Sequence, residues 1–109
     1  MDLVNELLSK SEHLDASLKK LRETGSNLAQ ATRNYKVAVN QKALSLRESG
    51  TAVGMITLTI YGYRDIAELR FKRDVSEVVY KANLEAINTL KLQCRILEST
   101  IQREWGSAK

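Results

Sequence analysis

The sequence contains no proline and only five glycines, Gly25, Gly50, Gly54, Gly62 and Gly106, among its 109 residues. Tight turns depend on these two residue types, because they supply the backbone angles that turns need. A β-rich fold of this length would need more of them. Their scarcity predicts an all-α fold, with residues 1–109 forming a single helical domain.

Two residue types that often act in catalysis and metal binding are also scarce, with one cysteine (Cys94) and one histidine (His13). A lone cysteine excludes an intrachain disulfide and suits a reducing cytoplasm. His13 has no cysteine or second histidine at a metal-binding spacing. The sequence also lacks a Gly-rich phosphate loop, an HExxH motif and a defensible Ser/His/Asp set. We therefore expect no enzymatic activity, no cofactor and no metal site.

Charge of one sign is never concentrated over long stretches. The 17 basic and 13 acidic residues give a net charge of +4 and alternate along the chain. Such mixing is typical of solvated helix faces and less typical of a nucleic-acid surface. No segment approaches the roughly 18 apolar residues of a membrane span, and the N-terminus lacks the basic and apolar regions of a signal peptide. These features predict a cytoplasmic protein that does not bind membranes.

Residues 2–48 show the 3-4 spacing of a coiled-coil seam over more than five heptads. The predicted seam residues are Leu7, Ser11, Leu14, Leu18, Leu21, Gly25, Leu28, Thr32, Tyr35, Val39, Lys42 or Ala43, and Leu46. Glycine is unfavourable inside a helix, and Ser26 or Asn27 can cap a new one. The first helix is therefore either continuous or broken near Gly25.

Residues 65–105 predict a second long helix, with a capping box at Asp65 and Glu68. Its apolar stripe has a spacing of about 3.7 residues, which suits a nearly straight helix. The stripe comprises Phe71, Val75, Val79, Ala82, Ala86, Leu90, Cys94, Leu97, Ile101 and Trp105. A flanking set widens it: Ile66, Leu69, Val78, Leu84, Ile87 and Ile96.

Between these helices, residues 49–63 carry no charge. Gly50 is predicted to end the first helix, Thr51 to cap a short apolar helix over 51–60, and Gly62 to allow the chain to reverse. The prediction is a long antiparallel helical hairpin with this short helix at its tip.

A two-helix hairpin has too little interior to bury both stripes and the tip, so we expect an oligomeric bundle. The predicted interface residues are Val53, Met55, Ile56, Ile60 and Trp105.

A cluster of aromatic and basic residues follows the tip: Tyr61, Tyr63, Arg64, Arg70, Lys72 and Arg73. Aromatic rings beside arginines can stack on bases and hold phosphates. The same charges also form ordinary i,i+4 pairs, such as Glu68 with Lys72, that only solvate a helix. The cluster is thus a candidate binding site for a small anionic nucleotide, or part of a solvated face.

The segment from "LRESGTAVGMI" through "RDIAELRFKRDVSEVVYKANLEAINTLKLQCRILESTIQREW", roughly residues 44 to 105, resembles small helical proteins of phages and prophages of Gram-positive bacteria. Such proteins come from early genes near replication and recombination functions. The resemblance implies a phage accessory protein that binds and inhibits a host or antiviral-defence protein, or sequesters a signalling nucleotide. The alternatives are a nucleic-acid-binding accessory of phage replication or recombination, and a structural coiled-coil component.

Overall fold

A computed structural model describes residues 2–107; Met1, Ala108 and Lys109 of the predicted domain lie outside the described residues. The chain forms α1 (Leu3–Glu48), α2 (Val53–Thr59), a 3-10 turn (Ile60–Gly62) and α3 (Arg64–Ser107). Residues 2–107 contain no strand. The prediction of an all-α helical hairpin is confirmed.

Helix α1 passes through Gly25 without a break and ends near Gly50. Gly50 has a positive φ of 89°, which a residue with a Cβ rarely adopts. Its N–H donates to the carbonyl of Arg47, and the N–H of Thr51 donates to the carbonyl of Leu46, both at 3.0 Å. This is a Schellman motif, which satisfies the carbonyls left free at the helix end.

The described chain divides into two compact units, residues 2–24 with 80–107, and residues 25–79. Each unit pairs a segment of α1 with a segment of α3. In the first unit Thr24 contacts Asn83, and Ser11 lies 3.9 Å from Cys94. In the second unit Tyr35 contacts Arg73 and Lys42 contacts Asp65, which gives the same antiparallel order.

The seam of α3 differs from the predicted stripe. Its buried and half-buried positions alternate at three and four residues, the spacing of a coiled coil. The main series is Ile66, Leu69, Arg73, Ser76, Tyr80, Asn83, Ile87, Leu90, Cys94, Leu97 and Ile101, and Glu77, Leu84, Gln93 and Thr100 beside it are also half-buried. Phe71, Val75 and Val79, which we placed on the main stripe, are exposed. The predicted spacing of 3.7 was wrong because Arg73, Ser76 and Asn83 take seam positions that an apolar pattern skips.

Asn83 fixes the pairing of the helices in the first unit. Its side-chain amide donates to the carbonyl of Ser17 at 3.0 Å, and its side-chain oxygen accepts from the Thr24 hydroxyl at 2.8 Å. A polar residue in an apolar seam specifies register, because any other alignment leaves its hydrogen-bonding groups without partners. The seam of α1 was predicted well, except that Ser11 and Leu18 are exposed while Ser17 and Thr24 are half-buried.

Three isoleucines are buried at the tip of the second unit. Ile56 and Ile60, four residues apart, are buried together with Ile66 at the start of α3. The predicted caps do not form as expected. The N-cap of α2 is Ala52, with no side-chain hydrogen bond, in place of Thr51. Helix α3 begins at Arg64, so Asp65 lies in its first turn and its carboxylate pairs with Lys42.

Candidate functional site

The outer surface of the tip is apolar although it is exposed. Val53, Met55 and Leu58 are exposed, Leu58 by 80%. Two of the predicted interface residues, Ile56 and Ile60, are instead buried inside the unit. This correction follows from their spacing, because residues i and i+4 share one helix face and here that face packs inward.

The threonines of the tip add little polarity to its surface. The hydroxyl of Thr57 donates to the carbonyl of Val53 at 3.1 Å, and that of Thr59 donates to the carbonyl of Met55 at 2.7 Å. A hydroxyl bonded to the preceding turn is less available to water or a ligand. Both threonines are exposed, with their hydroxyls engaged in these bonds. We call the surface of Val53, Met55, Thr57, Leu58 and Thr59 the tip surface.

The predicted aromatic and basic residues fall into pairs rather than one cluster. The Arg70 guanidinium lies 5.4 Å from the centre of the Tyr61 ring. The Lys42 ammonium lies 4.8 Å from the Tyr63 ring. Each distance is within the range of a cation–π interaction.

The third pair brings in Tyr35, which the sequence placed in the seam and not in the cluster. The Arg73 guanidinium lies 4.7 Å from its ring and donates two hydrogen bonds to Asp74, at 2.8 and 3.1 Å. The hydrogen bond to the Asp74 carboxylate raises the pKa of Arg73 above its ordinary value. The Tyr35 ring is buried between the helices, so its contact with Arg73 connects this arginine to the pairing of α1 with α3.

The remaining predicted residues lie apart from these pairs. Arg64 is exposed at the first position of α3. Lys72 lines a separate groove, with Phe71 and Val75. Trp105, which was predicted to lie in the interface, lines a depression with Leu3 in the first unit, and 69% of it is exposed.

The Lys42–Asp65 pair links α1 to the start of α3. The ammonium and carboxylate lie 3.0 Å apart. The hydrogen bond from Lys42 is the main reason that the pKa of Asp65 lies below its ordinary value, with a smaller contribution from the backbone N–H of Ile66. Sequence reasoning did not find Lys42 as a partner, because it lies 23 residues away along the chain.

This pair predicts a specific pH dependence. Because the folded pKa of Asp65 is lowered, its stabilising contribution is present above the ordinary pKa of about 3.9 and is lost as the pH falls through the folded pKa. Replacing Lys42 by Met should raise the pKa of Asp65 towards its ordinary value. NMR titration of the Asp65 carboxyl carbon measures the change, with Lys36→Met as the control. An unchanged pKa in Lys42→Met would contradict the assignment.

Other kinds of site find no support among residues 2–107. No group of three His, Cys, Asp or Glu side chains is placed to hold a metal ion. No helix in the same range is both long and apolar enough to cross a bilayer. Comparisons with protein-family models, curated proteins and solved structures found no match for this chain.

Proposed function

We propose that the protein is a non-enzymatic phage accessory protein that acts as a homo-oligomer in the cytoplasm of its bacterial host. It binds a host or antiviral-defence protein through the tip surface. The observation that carries this proposal is the chemistry of that surface, where exposed Val53, Met55 and Leu58 lie among threonines bonded to their own backbone. The phage origin rests on the resemblance of residues 44 to 105.

A protein partner suits this surface better than a nucleic acid or a nucleotide. Exposed aliphatic groups in one patch gain free energy when another apolar surface covers them. A phosphate would need available cations, and Arg73 and Lys42 are already paired with carboxylates. Arg70 and Lys42 also lie over tyrosine rings. These charged side chains near the tip therefore make contacts within the fold in addition to solvating the surface.

The test compares partner capture by three forms of the full chain. The tip variant carries Val53→Ser, Met55→Ser and Leu58→Ser. The control carries the same loss of apolar surface on α1, with Leu8→Ser, Val37→Ser and Leu44→Ser, all of which are exposed. Proteins from a Gram-positive host lysate are captured on each form and quantified by mass spectrometry, and the retained partner is then purified and titrated by calorimetry.

We expect one partner to be retained by the parent and the control and lost by the tip variant. Removing three central apolar contacts of more than 1 kcal/mol each should weaken binding by about 100-fold or more. Equal affinity of the parent and the tip variant for the purified partner would overturn the proposal. Loss of the same partner by the α1 control would also overturn the proposal.

A further inference from the structure

The charged residues of α1 are distributed unevenly along its length. Residues 2–23 carry five acidic and four basic side chains, whereas residues 24–47 carry four basic side chains and no acidic one. In the second segment Lys42 is paired with Asp65. The other basic residues there are Arg33, Lys36 and Arg47. All three are exposed, and none forms an ion pair within the described part of the chain. This segment of α1 therefore presents unpaired positive charge to the solvent.

The unpaired cations lie on one side of α1. Together with Asn40 they occupy positions i, i+3, i+7 and i+14, a spacing that places residues on one helix face. The other flank of this segment is polar but uncharged, and side-chain amides such as that of Asn34 line the groove there. We call the face formed by Arg33, Lys36, Asn40 and Arg47 the basic face of α1.

A pocket opens beside the basic face, within the second unit. It encloses about 410 Å³ and is lined by Tyr35, Lys36, Val39, Asn40, Tyr61 and Arg73. Among the described residues that line it, none is acidic. Tyr61 is only two residues from Thr59, so the pocket adjoins the tip surface. We call it the Lys36 pocket.

The two cations of the Lys36 pocket differ in how firmly they are held. Arg73 is fixed by its hydrogen bonds to Asp74 and by its contact with the Tyr35 ring. Lys36 makes neither a hydrogen bond nor an ion pair with the described residues, so its three N–H donors are available. Arg73 therefore gives the pocket a fixed positive charge, and Lys36 supplies donors that can reach a ligand.

The charge of the Lys36 pocket matches that of one carboxylate. Lys36 and Arg73 bring two positive charges, and Asp74, which is bound to Arg73, offsets one of them. A carboxylate carries one negative charge, whereas a phosphate monoester carries about two near neutral pH. A carboxylate also accepts charge-assisted hydrogen bonds from an ammonium group. The pocket thus suits a carboxylate better than a phosphate.

The surroundings of the pocket favour a protein ligand over a nucleic acid. A nucleic-acid strand presents its phosphates in a continuous row and is bound by a matching row of cations. Helix α3 interrupts such a row, because Asp74 and Glu77 lie within about one turn of Arg73. A protein segment can instead place apolar side chains on the tip surface and a carboxylate beside them. Val39 and Tyr61 then offer apolar contact to the methylene groups of that acidic side chain.

We propose that the Lys36 pocket binds an acidic side chain, Asp or Glu, of the protein that covers the tip surface. The Lys36 ammonium donates to the carboxylate, and the fixed charge of Arg73 stabilises it. Arg33 and Arg47, on the same face of α1, attract further acidic residues of the partner and speed its association. The inference rests on the proposed function and defines the chemistry of the partner, which is an apolar segment next to acidic residues.

An acetylated and amidated hexaglutamate peptide tests the site without the partner. Added at millimolar concentration, it should shift the NMR amide signals of Lys36, Asn40 and Tyr61 until they saturate. Lys36→Gln should weaken this binding by about threefold or more, because it removes both charge and donors. The control, Lys20→Gln, removes an exposed lysine that has no ion pair in the described part of α1 and should leave the affinity unchanged. Equal shifts around Lys20 and Lys36, or equal affinity of the parent and Lys36→Gln, would overturn the proposal.

A hexathymidylate strand, which carries about the same charge as the peptide, tests the nucleic-acid alternative. At the same ionic strength it should bind the parent chain more weakly than hexaglutamate does. Tighter binding of hexathymidylate, with loss in the Lys36→Gln chain, would assign the pocket to nucleic acid and overturn the proposal.

The partner retained by the parent chain provides a second measurement. Once the partner is purified, its affinity for the Lys36→Gln chain should fall about tenfold, the loss expected for one charge-assisted hydrogen bond. Lys20→Gln should bind it as the parent does. Unchanged affinity in Lys36→Gln would overturn this inference alone, since the tip variant reports separately on the proposed function. Hexaglutamate binding likewise needs no partner, so its failure is distinct from a failure of partner capture.

Discussion

Replacing Ile66 by Ala should lower the free energy of unfolding by about 2–5 kcal/mol, the range for truncating a buried aliphatic side chain. Ile66 is fully buried, with 0% of its surface exposed, and it lies in the first turn of α3, just after the tip along the chain. Its removal takes away three carbon atoms and leaves a cavity that rigid neighbouring helices fill poorly. The midpoint of thermal unfolding, followed by circular dichroism, should fall by more than about 10 °C.

The matched control is Leu44→Ala, a truncation of similar size at an exposed position of α1. Surface truncations of this kind usually change stability by less than about 0.5 kcal/mol. A comparable loss in both variants would mean that Ile66 is no more important to the fold than a surface residue. Because Ile66 lies beside the tip, its variant should also weaken partner binding, whereas Leu44→Ala should not.

The helices of this chain were predictable because their periodicity is long and uninterrupted. A seam sustained over several heptads leaves few other structures for residues 2–48, and the observed α1 differs by only one residue at its start. Gly50 was identifiable as the end of α1, because its place between two periodic segments is where a positive φ is needed. The glycine at position 25 did not break α1, since the helix segments on both sides of it pack against α3.

The seam of α3 was less predictable because hydrophobicity does not identify polar residues that are buried by their partners. Asn83 is half-buried since Ser17 and Thr24 satisfy its amide group. Phe71, the only phenylalanine in the chain, is exposed although its hydrophobicity predicted a place on the main stripe. Which apolar face of α3 would pair with α1 depended on these distant contacts. The predicted main stripe and the flanking set each mix buried and exposed residues, so the sequence did not separate the two faces.

The position of the tip in the fold was predicted, but not which of its side chains are exposed. The tip was identified from its lack of charge, yet Ile56 and Ile60 were assigned to its surface although they are buried. Leu58, the most exposed apolar residue there, was not assigned to the interface. A seven-residue helix is too short for periodicity to show which side faces inward. Tyr35 and Lys42 contribute to the aromatic and basic pairs through contacts across the hairpin that no local pattern reveals.

Replacing Tyr35 by Ala should destabilise the fold by about 3–5 kcal/mol, since it removes a large aromatic ring that is only 7% exposed. The Arg73 guanidinium lies 4.7 Å from this ring, so part of the loss comes from their interaction. A double-mutant cycle with Tyr35→Leu and Arg73→Met isolates that part. We expect a coupling of about 1 kcal/mol, typical of a partly desolvated cation–π pair. Urea unfolding of the four proteins provides the measurement.

The same cycle distinguishes the two interpretations of the basic cluster. If Arg73 stabilises the pairing of α1 with α3, Arg73→Met lowers stability in the parent and much less in the Tyr35→Leu chain. If Arg73 instead binds an anion, its replacement leaves the unfolding free energy nearly unchanged in both backgrounds. In that case inorganic phosphate should stabilise the parent and not the variant, because a ligand that binds only the folded state raises its stability. A coupling near zero together with such phosphate stabilisation would contradict the structural role. Arg95→Met, an exposed change in the other unit, controls for the general effect of removing one positive charge.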